Sequence, residues 1–69
     1  MCNNQLLRTF IERSGISHTN IAKALGITYV SFNSKLKGKY AFTLEEALKL
    51  KKVLDLTQNE WEAVFNEEE

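Results

Sequence analysis

The amino-acid sequence predicts a compact all-α domain of five short helices, on three observations. No segment alternates apolar and polar residues for long enough to argue a strand. The three glycines, Gly15, Gly26 and Gly38, each stand where an apolar periodic stretch stops, and proline is absent. This is the punctuation of consecutive helices with short connections. Thr43 with Glu46 and Thr57 with Glu60 are two capping-box signatures, each opening a further helix. The chain has 69 residues, room for one small core, since domains of this size bury only about 60% of the surface their unfolded chain exposes. Residues 1–65 are read as the single domain and 66–69 as an acidic tail.

The first helix is expected from about Asn4 to Ser14, capped by Asn3 or Asn4, with Leu6, Leu7, Phe10 and Ile11 inward. Gly15 ends it. The stretch from Ser17 to Gly38 then reads as two helices folded across one another at Gly26. Ser17 caps the first through its side-chain oxygen, and Ile21 and Leu25 share one face of it. Gly26 is suited to the left-handed conformation that terminates a helix. Ile27 plugs the corner. Thr28 caps the third helix, Tyr29 to Lys37, in which Phe32 and Leu36 point inward and Gly38 closes the end. Ala22 is the small residue where the two axes pass closest.

After Gly38, Phe42 anchors the connection on the core. Thr43 opens a fourth helix, roughly Leu44 to Leu54, expected to be the central one. Its apolar residues Leu44, Ala47, Leu48, Leu50, Val53 and Leu54 cover more than half the circumference, and Glu45 with Lys49 forms an i,i+4 pair. A fifth helix starts near Gln58. Its stripe of Trp61, Val64 and Phe65 is read as serving both the monomer core and, through part of Trp61 and Phe65, a dimer contact, since aromatics are enriched at buried interface centres.

Ala22, Gly26 and Phe32, in that order and with matching caps, resemble the helix-turn-helix of the phage repressor and Cro class. In that family a small residue lies four before a turn glycine and an apolar residue six after it. The resemblance runs from about Ile16 to Leu54 and includes the stretch K-G-K-Y-A-F-T-L-E-E-A-L-K-L, which commonly follows the motif in small regulators. It implies a lambda-repressor-like domain that binds double-stranded DNA, with the third helix in the major groove. Family contacts to bases come chiefly from the first two residues of that helix and from residues a turn further on, here Tyr29, Val30, Asn33 and Ser34. Asn33 suits an adenine edge, Val30 a thymine methyl, and Ser34 several bases. No arginine lies in this helix to pair with a guanine edge.

Phosphate contacts are expected on both sides. The N–H groups of His18 and Thr19 open the second helix, whose dipole favours an anion there. Thr28, Lys35, Lys37, Lys39 and Tyr40 grip the backbone on the other side. His18 departs from the family, which often has a glutamine at that place that bonds phosphate and braces the recognition helix. The half-site geometry of such regulators implies a homodimer on a two-fold site.

The formal net charge is zero but unevenly spread. Residues 1–40 hold six basic groups against one acidic, and residues 41–69 hold three basic against eight acidic. Such a chain meets a polyanion with one part and keeps the other away from it. Catalysis has little to work with: one histidine, His18, and one remote cysteine, Cys2, make neither a nucleophile and base pair nor a metal cluster. Glycine spacing excludes a phosphate-cradling loop. No enzyme activity and no cofactor is expected. Cys2 reads as a frayed terminal residue and suits a reducing compartment. With no run near the ~20 apolar residues of a membrane span, the chain is expected to be cytoplasmic with no membrane partner. One rival reading keeps the helix-turn-helix but uses Tyr29 and Val30 to capture a partner repressor protein, as exposed apolar patches mark partner contacts. A purely structural bundle is the third.

Overall fold

In the computed structural model, which describes residues 3–65, the chain forms five helices: α1 (Asn4–Ser14), α2 (His18–Leu25), α3 (Tyr29–Leu36), α4 (Leu44–Val53) and α5 (Gln58–Phe65). No strand occurs among the described residues, and none of their helices is long and apolar enough to cross a membrane. Cys2 and the acidic tail 66–69 lie outside them. The helix starts are where the sequence puts them because their caps form. Asn3 Oδ1 accepts from Leu6 N at 3.0 Å, Ser17 Oγ from Asn20 N at 3.2 Å and Thr28 Oγ1 from Ser31 N at 3.0 Å. Both capping boxes close: Glu46 N donates to Thr43 Oγ1 and Thr43 N to Glu46 Oε1, and the same pair of bonds joins Thr57 and Glu60.

Gly26 takes φ 78° at the end of α2. Ile27 N donates back to Ala22 O at 3.0 Å across that turn, so the chain reverses within two residues and α3 packs against α2. A second packed pair is α2 with α4, and a third is α1 with α5. The chain's N-terminal side is tied to α5 by Asn3 N donating to Val64 O at 2.7 Å. One core results, containing Leu7, Ile11, Ile21, Ala22, Leu25, Phe32, Leu36, Leu50, Leu54, Leu56 and Val64. Phe32 is its largest fully buried side chain. Phe42 anchors the loop as expected, its ring 6.1 Å from that of Phe32 and 6.2 Å from that of Phe65.

The fourth helix departs from expectation. Leu44 and Leu48, read as part of its core face, are 70% and 48% exposed. Its buried arc is Glu46, Ala47 and Leu50, continued by the cap residue Leu54. A carboxylate stands in that arc because its charge is met from two sides, as described below, and admitting Glu46 turns the two leucines outward. The α4–α5 turn also lacks the glycine that follows α1, α2 and α3: Asp55 adopts φ 55°, a left-handed conformation that Asp tolerates better than most residues.

Trp61 and Phe65 serve the monomer. The indole Nε1 of Trp61 donates to Ala47 O at 2.9 Å, and its ring lies 5.7 Å from that of Phe65. The alternative use of these two residues, as a dimer contact, thus competes with contacts they already make inside the chain.

Phe32→Ala should cost about 3–5 kcal/mol, as for other large-to-small changes at fully buried aromatics. Leu44→Ala should change stability by no more than about 0.5 kcal/mol. Urea unfolding of both variants checks the contrast; equal losses would contradict the burial pattern.

Candidate nucleic-acid interface

The candidate interface is built on α3. With Phe32 and Leu36 buried, the side of the helix turned away from them is left to Val30, Ser31 and, at its end, Lys37, while Tyr29, three residues before Phe32, stands in the open first turn, all exposed. Asn33 and Ser34 are half-buried at the edges of that side. Tyr29 and Val30 are 50% and 71% exposed, so neither is held by the core. The four expected base-contacting residues therefore lie along one short helix. Their order of exposure puts Tyr29 and Val30 forward of Asn33 and Ser34.

Around this helix the expected phosphate contacts fall into two groups. The first is the start of α2. Asn20 N is satisfied by Ser17 and Ile21 N by the Ser17 carbonyl. The N–H groups of His18 and Thr19 precede the reach of the helix's own carbonyls and have no acceptor among the described residues. The His18 ring sits edge-on to that of Phe32, centroids 5.5 Å apart. It braces α2 against the anchor of α3 by packing, where a glutamine would do so by hydrogen bonding. Thr28 uses one lone pair for its cap, and its hydroxyl hydrogen remains available to an anion.

The second group follows α3. Lys37 N donates to Asn33 O, Gly38 N to Lys35 O and Lys39 N to Ser34 O, at 2.9 to 3.0 Å. This wraps the end of the helix around Gly38 at φ 92°. Lys37 and Lys39 are carried out on either side of that glycine. Both are exposed, with no ion-pair partner among the described residues. Tyr40 is 66% exposed beside them.

Lys35 does not belong to this group, and its assignment as a phosphate contact is corrected. Its Nζ donates to both oxygens of Glu46, at 2.7 and 2.8 Å. The two side chains are only 17% and 11% exposed. Glu46 also accepts from Thr43 N at 3.0 Å. Burial pushes its carboxyl upward, but the Lys35 ammonium and the Thr43 donors outweigh this and hold it below its usual value. The ion pair ties the C-terminal half of α3 to the first turn of α4. Nothing in the sequence flags it, because Glu46 is already accounted for by its capping box. Arg13, another cation of the first forty residues, is engaged in a similar way: its guanidinium forms a two-pronged pair with Glu60, at 3.0 and 3.2 Å.

The described residues contain no cluster of three or more metal-ligating side chains. Comparison of the chain with protein-family models, curated proteins and solved structures gives no match.

Because the folded carboxyl of Glu46 titrates below its usual 4.5, its contribution is present above that pH and is lost as pH falls through the folded value. Stability should therefore decline below about pH 4.5. Glu46→Gln should cost about 1–3 kcal/mol at neutral pH and flatten that decline. The residual slope belongs to Glu60, which Arg13 also holds low. Urea unfolding of parent and variant at pH 7 and pH 3.5 checks the sign; an unchanged acid slope in Glu46→Gln would refute it.

Proposed function

We propose that the chain is a sequence-specific DNA-binding regulator of the repressor or Cro kind, phage or mobile-element in type. It acts as a homodimer that occupies an operator with α3 in the major groove. The observation that supports this most is the outward side of α3. Tyr29, Val30, Asn33 and Ser34 lie there or at its edges, and the core leaves that side free. It is flanked by the unpaired lysines Lys37 and Lys39 at one end and the open N–H groups of His18 and Thr19 nearby.

In this reading an α-helix enters the groove with its N-terminal residues on base edges. Val30 packs on a thymine methyl, Asn33 pairs with an adenine edge, and Ser34 bonds a neighbouring base. Lys37, Lys39, Tyr40, Thr28 and the start of α2 take the phosphates. Loss of Lys35 and Arg13 to internal ion pairs leaves a modest basic surface. Non-specific affinity is then modest too, and the apolar pair Tyr29 and Val30 carries a larger share of the recognition. Two copies would read half-sites about 34 Å apart, one helical turn.

Selection from a random duplex library, followed by titration of the selected and a scrambled duplex across salt concentrations, tests the reading. Lys37→Ala should weaken binding to both duplexes and reduce the slope of log K against log salt by about 0.9. Asn33→Ala should relax preference at one base pair, by about 1–3 kcal/mol. If both variants bind both duplexes as the parent does, α3 is not the reading element.

The exposure of Tyr29 and Val30 favours one second reading: the same side captures a partner repressor and DNA is bound only through it. Retention of DNA by the parent only when a neighbouring regulator is added would select this reading.

A further inference from the structure

We propose that a second copy of this chain docks on the outward face of α4, antiparallel to it, with Leu48 at the two-fold axis. The inference assigns a surface to the homodimer of the proposed function and rests on that reading for its purpose. The pairing itself needs no DNA.

Leu44 and Leu48 are one helical turn apart on the same side of α4. They are exposed at 70% and 48% although neither caps, turns nor packs the helix. Beyond Leu48, towards the end of the helix, a groove is lined by Leu48, Lys51, Lys52, Asp55 and Leu56. The face thus carries an apolar projection at its start and a partly apolar recess at its end. A two-fold axis at Leu48 running across the helix turns one copy end for end. Leu44 of each copy then lies opposite the recess of the other, level with Lys52.

The charges follow the same symmetry. Glu45 is 79% exposed, held only by a loose 3.6 Å contact to Lys49. Lys52 is exposed and has no ion-pair partner among the described residues. Both lie to the same side of the leucine pair. At 1.5 Å rise per residue, Glu45 of one copy and Lys52 of the other come within about 1.5 Å of the same height. The antiparallel arrangement therefore pairs them twice. A parallel arrangement would carry the Glu45 and Lys52 of the two copies to opposite sides of the seam and pair neither. Lys51 is already engaged, donating to Gln58 and lying over the Trp61 ring, so it takes no part.

A ten-residue helix presents a face only about 15 Å long, and such a contact falls well short of the roughly 1,200–2,000 Å² of a stable complex. The dimer is accordingly weak in solution, and adjacent half-sites complete it by raising the effective concentration.

The test is sedimentation of the full chain without DNA at millimolar concentration, with circular dichroism to confirm folding. The parent should show reversible dimer, and Leu44→Asp should abolish it without unfolding the chain. Glu45→Lys and Lys52→Glu should each be monomeric alone, because each sets like charges together twice. Mixed one to one they should dimerise, because the mixed pair has complementary charges at both contacts. A parent that stays monomeric, variants that dimerise like the parent, or a mixture that remains monomeric would each overturn the proposal. None of these outcomes bears on whether α3 binds DNA, which the Lys37→Ala and Asn33→Ala titrations decide separately.

Discussion

Phe32 is enclosed from every side, and the rest of the structure is arranged to enclose it. Its ring begins a run of aromatic contacts through the molecule: His18 at 5.5 Å, Phe42 at 6.1 Å, then Phe42 to Phe65 at 6.2 Å and Phe65 to Trp61 at 5.7 Å. These contacts draw on α2, α3, the loop after Gly38 and α5. In so small a domain there is one core and no spare layer, so α3 cannot shift without disturbing that run. The outward side of α3 is in this sense a by-product of the inward one. Residues at Phe32 and Leu36 decide which of their neighbours meet the solvent.

The charges obey a related economy. The first forty residues hold nearly all their charge as cations, yet two of them, Arg13 and Lys35, are spent on carboxylates from the second part of the chain. The sequence's separation of sign is therefore partly cancelled by folding, in which Glu46 and Glu60 are brought to the basic part. Each of these carboxylates also caps a helix. A capping oxygen that needs its charge is a natural partner for a nearby cation, and the pairs serve to join α3 to α4 and α1 to α5. What remains basic and unengaged around α3 is confined to the end of that helix, where Lys37 and Lys39 flank Gly38.

Helix boundaries were legible because their signals are local. Asn3, Ser17, Thr28, Thr43 and Thr57 each act through a backbone N–H three residues on. Gly26 and Gly38 are needed at positive φ, whatever the surroundings. The side of each helix was less legible, because it depends on partners distant in sequence. Leu44 and Leu48 fit an inward face by periodicity alone, and only the Lys35 to Glu46 pair, eleven residues apart, explains why the buried arc lies elsewhere. The turn at Asp55 was hidden for a similar reason: its left-handed conformation falls on a residue that does not announce it. Among the candidate site residues, the α3 set could be ordered from the position of Phe32. The withdrawal of Lys35 could not.

The bond from Trp61 to the Ala47 carbonyl has an optical consequence. Trp61 is the single tryptophan in the chain, and its indole sits where α5 meets α4, half-buried, with the Lys51 ammonium 5.7 Å from its ring. Its fluorescence therefore reports whether α5 is docked. The two tyrosines both stand exposed, Tyr29 at the start of α3 and Tyr40 next to the lysines around Gly38. Folding and surface occupancy are thus written in two separate chromophores, so an unlabelled sample distinguishes a chain that has lost its last helix from one whose third helix has been covered.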